Sequence, residues 1–252
     1  MSAQAAPLPR TRHRRPAWHV ATVVETRPET PNAVRLVLDV PTWPGNEAGT
    51  HVDVRLTAPD GYQATRSYSV ATSDRGRVVL GIEELPDGEV SPFLVREVRA
   101  GDKLEIHGPL GSYFLWRPGQ SNRPVQLIAG GSGVVPLHAM AAAHAAASDS
   151  TLFRLVYSVR TPAHVYFRDE LAALAGPSFT VDYVYTRQAP PGWGGTVGRL
   201  TRDSLASTTI APHERPRIFV CGSTRFAETV AAWLLDLGHS ARDILTERYG
   251  GK

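Results

Sequence analysis

From Val125 to Ala147 the chain reads VQLIAGGSGVVPLHAMAAAHAAA. Val125–Ala129 has the length and apolar content of a buried strand. Gly130-Gly131-Ser132-Gly133 then breaks the run, and Val134–Ala147 reads as a helix. Glycines let a backbone approach a phosphate closely, and a helix N-terminus attracts its negative charge. The stretch is not G-x-G-x-x-G and lacks the Gly-Lys-Ser/Thr of an ATP-binding loop. Taken alone, it is either a phosphate cradle or a tight strand-to-helix turn without a ligand.

Downstream, the period stays that of an α/β unit. Strands are predicted at Leu152–Ser158, Thr180–Thr186 and Ile218–Cys221, the last strand, with helices near Val165–Ala175 and at Thr224–Leu237. In the final helix Phe226, Val230, Trp233, Leu234 and Leu237 recur at helical spacing, and Gly238 ends it. Strands alternating with helices imply a parallel sheet. Upstream, the reading changes. Trp18–Thr26, Ala33–Asp39, His51–Leu56, Ser67–Ala71, Val78–Ile82 and Lys103–His107 are short β-type runs separated by turn residues such as Pro44-Gly45 and Asp60-Gly61. A short helix at Pro92–Glu97 interrupts them, with Ser91 as its N-cap. Many short strands at such spacing suggest a closed barrel or a sandwich; the fold expected is an all-β antiparallel barrel followed by an α/β parallel-sheet nucleotide-binding domain. The divisions are a basic tail (1–15), a barrel (16–117), a Pro/Gly/Ser/Asn linker (118–123) and the α/β domain (124–252).

Composition narrows the function. The 27 Lys+Arg against 24 Asp+Glu leave a charge of only +3, which does not argue for a nucleic-acid surface. Cys221 is the one cysteine, so neither a disulfide framework nor an iron–sulfur cluster can be built from this chain. The histidines form no ligand-spaced cluster, so no metal site is expected. No apolar run reaches membrane-spanning length, and the basic stretch Arg10–Arg15 leads into no apolar segment. A cytoplasmic protein without a membrane partner is expected.

Several short segments carry chemistry. In Arg66-Ser67-Tyr68-Ser69, alternation puts Arg66 and Tyr68 on one strand face and Ser67 and Ser69 on the other. Arg suits a phosphate, Tyr can lie against an aromatic ring system, and Ser is small enough to approach such a ring closely and hydrogen-bond its nitrogen. An ordinary strand with a polar face is the alternative. Gly88-Glu89-Val90-Ser91 opens a short helix, as a pyrophosphate site or simply a turn. Cys221-Gly222-Ser223 lies at a strand's carboxyl end, where ligands bind open α/β sheets. Glu247-Arg248-Tyr249 lies close to the end of the chain; its aromatic is a candidate core plug.

Together these segments resemble the ferredoxin–NADP reductase superfamily from about Trp18 onward. The motifs occur in order: Arg66-x-Tyr68-Ser69, Gly88-x-x-Ser91, Gly108-Pro109-x-Gly111, Gly130-Gly131-Ser132-Gly133-x-x-Pro136, Cys221-Gly222 and Glu247-x-Tyr249. The resemblance implies FAD on the barrel. Arg66 would grip its pyrophosphate, Tyr68 pack on the isoalloxazine, Ser69 bond near N5, and Gly88, Val90 and Ser91 complete the site, with Ser67 beside them. It implies that Gly131, Ser132 and Gly133 cradle the pyrophosphate of a nicotinamide dinucleotide. Cys221 and Glu247 would flank the nicotinamide, and Tyr249 would stack on the flavin. Catalytic roles fall to Ser69, Cys221, Glu247 and Tyr249. Three departures stand out: Glu83 and Glu84 replace a frequent basic residue, Ser223 follows Cys221-Gly222 in place of Pro, and Gly250, Gly251 and Lys252 extend past Tyr249.

The activity implied is hydride transfer from NADPH, with NADH possible, to FAD, and then electron transfer to a separate protein such as a ferredoxin or an oxygenase component. Ser158, Arg160 and Arg187, with Arg199 beyond them, could clamp a 2′-phosphate. The alternative is that those arginines are solvated surface residues or pair with Asp182 and Asp203. The rival functions are a reductase of free flavin or small molecules, and a flavin-binding subunit without independent turnover.

Overall fold

A computed structural model describes residues 15–195 and 197–249. Most of the expected basic tail, 1–14, and the extension Gly250–Lys252 lie outside them. The first half is a closed barrel of β1 (Ala17–Thr30), β2 (Ala33–Asp39), β3 (His51–Thr57), β4 (Gln63–Asp74), β5 (Arg77–Glu83) and β6 (Lys103–Leu110), joined in the order β1-β2-β5-β4-β3-β6. All its pairings are antiparallel. Its interior is aliphatic, with Leu36, Leu38, Val52, Val54, Leu80, Ile82 and Ile106 fully buried. Each such side chain contributes roughly 1.5–3 kcal/mol. A helix, α1 (Ser91–Arg96), lies between β5 and β6.

The second half is a parallel sheet of β7 (Val125–Gly130), β8 (Phe153–Val159), β9 (Phe179–Tyr185), β10 (Arg217–Ser223) and β11 (Ile244–Tyr249), in the order β11-β10-β7-β8-β9. Helices α2 (Val134–Ala146) and α3 (Arg168–Leu174) cover one face; α4 (Arg202–Thr208) and α5 (Thr224–Asp236) cover the other. Alternation along β7 supplies both: Leu127 and Ala129 join the first cluster, Ile128 the second. The first cluster also takes in Ala33 and Ala71 of the barrel strands with Phe114 and Trp116, so it continues across the junction between barrel and sheet, apart from the barrel's own interior.

Four expectations need correction. Ile218–Cys221 is not the last strand: Ile244–Tyr249 adds a parallel edge strand, pairing residue for residue from Ile218↔Ile244 to Ser223↔Tyr249. Its Thr246, Glu247 and Arg248 disguised the strand, because an edge position tolerates polar side chains. Helix α4 was not expected; Thr201 and Ser204 form its capping box. Helix α3 begins at Arg168, not Val165. Phe167 holds a left-handed backbone (φ 51°), fixed by its N–H donating to Glu29 at 2.5 Å and by Arg35 and His138 on either side of its ring. Arg35 also pairs with Glu29 and Glu170, tying the barrel to α3. Lastly, Ser91 is not an N-cap. It is the first residue of α1, and its hydroxyl accepts the Leu85 N–H at 3.0 Å.

Candidate functional site

The carboxyl ends of β7, β8, β10 and β11 meet the barrel at β4 and β5, and three adjoining cavities open there. The first, of about 650 Å³, is lined by His51, Ser67, Ser69, Tyr113, Cys221 and Glu247, among others. The second, of about 280 Å³, runs along Arg66–Ser69 to Gly88–Ser91 and reaches Glu83 and Ser132. The third, of about 370 Å³, lies over Gly130 and Gly131 and extends to Ser158, Arg160 and His164. Tyr249 lines all three. Its hydroxyl donates to the Gly130 carbonyl at 2.7 Å, and burial pushes its pKa up.

The glycine turn is shaped by close approach. Residues Gly131–Gly133 form a 3-10 turn that runs directly into α2. Gly131 has φ +56°, and a Cβ on Gly133 would lie 2.3 Å from the Cys221 carbonyl oxygen. The turn is therefore pressed against β10, and Gly130 and Gly131 line the third cavity. Ser132 donates its hydroxyl to Glu83 at 2.7 Å, and Glu83 also accepts from Asn32 at 3.1 Å.

On the barrel, cross-strand pairing fixes the two faces of Arg66–Ser69. Arg66 and Tyr68 pair with the inward Val54 and Val52, while Ser67 and Ser69 pair with Asp53 and His51. The bulge in β4 falls beyond them, between Val70 and Thr72, so the alternation is kept. Ser67 and Ser69 border both the first and second cavities. Ser67 donates to Asp53 at 2.6 Å. Tyr68 packs against the barrel core, and burial pushes its pKa up. The Arg66 guanidinium meets Glu89 at 2.7 Å, and Glu89 also accepts from Tyr62 at 2.8 Å.

Cys221 and Glu247 are opposite each other on β10 and β11. Burial pushes the Cys221 thiol well up, so it is a neutral side chain rather than a thiolate. Burial also pushes the Glu247 carboxyl up to about 7. Its Oε1 lies 3.7 Å from His51 Nδ1, while its Oε2 and that Nδ1 are buried without a hydrogen-bond partner. Burial lowers the His51 pKa, against the pull of Asp53. Two orphaned polar atoms on one cavity wall fit a ligand with a polar edge. A glycine cradle beside them fits a phosphate-bearing one. The residues present thus suit a flavin and a dinucleotide side by side.

At the far end of the third cavity, Ser158 is the penultimate residue of β8 and Arg160 follows the strand. Arg187 does not line the cavity, but its backbone N–H donates to the Arg160 carbonyl at 3.0 Å. Burial and then Arg160 lower the pKa of the nearby His164, against the pull of Glu83, with a smaller push down from Arg187. The carboxylates that might have neutralised these arginines are engaged elsewhere: Asp182 with Arg154 at 2.8 Å, Asp203 with Arg202 at 3.8 Å. His51, Tyr113 and His164 had no motif to announce them; they reach the cavities through tertiary structure alone. Glu83 was visible as a departure, but its bond to the glycine turn was not.

The profile of the oxidoreductase FAD-binding domain matches residues 21–115, and that of the oxidoreductase NAD-binding domain matches 127–232. NADH–cytochrome b5 reductase 1 of Arabidopsis thaliana is 32% identical over 83% of this chain and 76% of its own length. The protein of the same name from Kluyveromyces lactis is 30% identical over 77% and 70%. Among solved structures, the Amycolatopsis cytochrome P450 reductase GcoB superposes with a TM-score of 0.82 and 26% identity, covering 92% of this chain and 70% of that one. A ferredoxin NADP+ reductase from Neisseria gonorrhoeae with bound FAD and NADP shares the fold, with a TM-score of 0.79 and 22% identity over 92% and 98%.

Proposed function

Because the chain belongs to the ferredoxin–NADP reductase superfamily of two-domain, FAD- and NAD(P)H-dependent oxidoreductases, we propose a specific division of labour among its three cavities. The protein is a flavoprotein that takes electrons from NAD(P)H and passes them to an acceptor. When bound, FAD supplies the redox chemistry, accepting a hydride and releasing electrons singly. What the chain contributes is binding and positioning.

In this reading FAD lies along the second cavity and reaches into the first, and the two cavities share Ser67, Ser69 and Tyr249. Arg66 grips the pyrophosphate once Glu89 releases it, and the Gly88–Ser91 loop supplies backbone donors. Tyr68 packs on the isoalloxazine and Ser69 bonds at its reacting end. The third cavity holds the dinucleotide, its pyrophosphate on Gly131–Gly133. Glu247, protonated through much of the range below pH 7, donates a hydrogen bond into the first cavity, and Cys221 fills the space beside it. Tyr249 covers the flavin face and swings out when the nicotinamide arrives. The observation that carries this reading is the position of Tyr249 at the junction of all three cavities.

The dinucleotide we propose is NADPH, supported by Ser158, Arg160 and the charge of Arg187 near His164. The two cytochrome b5 reductases named above carry NADH in their names, so NADPH would set this chain apart from them. For the acceptor we propose a small one-electron carrier protein. A heme protein of the cytochrome b5 kind is the first to test, since it gives the relatives their name. Steady-state NADPH and NADH oxidation with cytochrome b5, ferredoxins, free flavin and dyes decides between these. Turnover with free flavin or dyes alone would refute a protein acceptor.

A further inference from the structure

Among the described residues lining the third cavity, Glu83 is the one carboxylate. It also borders the second cavity, so it stands on the wall between them. Its two oxygens are both engaged, one by the Ser132 hydroxyl at 2.7 Å and one by Asn32 at 3.1 Å. Ser132 is the middle residue of the glycine turn. Glu83 ends β5 of the barrel, so this bond joins the barrel to the turn. A carboxylate beside a phosphate cradle is unexpected on electrostatic grounds, because a polyanion bound there meets a like charge in a half-buried cleft.

We propose that Glu83 sets the affinity for the nicotinamide dinucleotide through two opposed effects. Its hydrogen bond holds Ser132 and the turn in place before the ligand arrives, so the cradle is formed at no cost on binding. Its charge opposes the dinucleotide pyrophosphate and weakens the complex, which speeds release of the oxidised product. The inference rests on the assignment of that pyrophosphate to Gly131–Gly133. A like charge within a Debye length of about 8 Å is worth on the order of tenfold in affinity at such a site, and it is screened by salt.

The two effects separate by substitution. Glu83→Gln removes the charge and keeps an acceptor for Ser132; Glu83→Ala removes both. The measurement is the affinity of FAD-loaded, oxidised protein for NADP+ and NAD+, followed by flavin difference absorbance at low and high ionic strength. Glu83→Gln should bind both about tenfold tighter than wild type at low salt, and the gain should shrink at high salt. Glu83→Ala should gain less, because the turn loses its tie. Unchanged or weaker binding by Glu83→Gln, or a gain indifferent to salt, overturns the proposal; should the Ala variant fail to fold, the Gln variant decides alone. Wild-type protein that binds neither dinucleotide overturns the glycine-turn assignment and this inference with it. Wild-type binding without a gain in Glu83→Gln sinks only the role of Glu83.

Discussion

Replacing Glu247 by Gln should stabilise the protein above neutral pH, although it removes a residue at the centre of the site. Burial raises the folded-state pKa of Glu247 from an ordinary 4.5 to about 7. Between those values the folded chain keeps a proton that the unfolded chain has lost. Stability therefore falls as pH rises through this window, and the loss is complete above the folded pKa. At 1.36 kcal/mol per pKa unit the loss is about 3 kcal/mol. Gln has the same shape and no charge to bury, so the variant escapes the loss. The wild-type curve alone will not show it. His138 is pushed down to about 4 by burial, which gives stability that is present above an ordinary 6.5 and lost as pH falls. The two groups pull in opposite directions over nearly the same range, so the difference between variant and wild type is the quantity to read. Urea unfolding of flavin-free protein from pH 4 to 8.5 should give a difference near zero at the acid end, rising to about 3 kcal/mol in favour of Glu247→Gln. A difference that does not change with pH would mean that the Glu247 pKa is the same folded and unfolded, and a wild type that gains on the variant above pH 7 would mean that Glu247 is ionised and partnered; either result refutes burial as the governing effect.

Three further outcomes follow from the site. Ser69→Ala should slow flavin reduction about 100-fold or more while leaving FAD affinity nearly unchanged, since a positioned donor at a reacting centre is worth roughly 2.7–4 kcal/mol; stopped-flow reduction at the wild-type rate removes Ser69 from the reacting end. Tyr249→Ser should bind NADP+ more tightly and relax the choice between NADPH and NADH, because no ring and no bond to Gly130 need be displaced; titrations identical to wild type would show that Tyr249 is not the cover. Arg160→Ala should cut kcat/KM for NADPH by about tenfold or more and spare NADH, as a charged hydrogen bond is worth about 1.5–3 kcal/mol; equal losses with both cofactors contradict the 2′-phosphate assignment.

The fold was legible wherever local pattern and tertiary role agree. The barrel strands alternate because one face is buried, and β7, β8 and β10 are apolar runs because both faces are. Strand β11 was invisible because its Thr246-Glu247-Arg248 run owes its conformation to pairing with β10, not to its own propensity. Phe167 looked helical, yet Glu29 and Arg35 from the barrel hold it out of the helix. The site divides the same way. Gly131, Gly133 and Arg66–Ser69 are local motifs whose spacing shows in the chain. The His51–Glu247 pair and the Glu83–Ser132 bond join residues 196 and 49 positions apart, which no motif records.

The central claim is that electrons pass from a nicotinamide held over Gly131–Gly133 to FAD held along Arg66–Ser69, and then out to a protein. The most direct test is anaerobic addition of NADPH or NADH to the FAD-loaded protein, followed by oxidised cytochrome b5, with the flavin and heme spectra recorded together. The flavin absorbance should bleach on adding the dinucleotide and return as the heme is reduced. A flavin that stays oxidised in excess NADPH and NADH, in protein whose FAD is stoichiometrically bound, would contradict it.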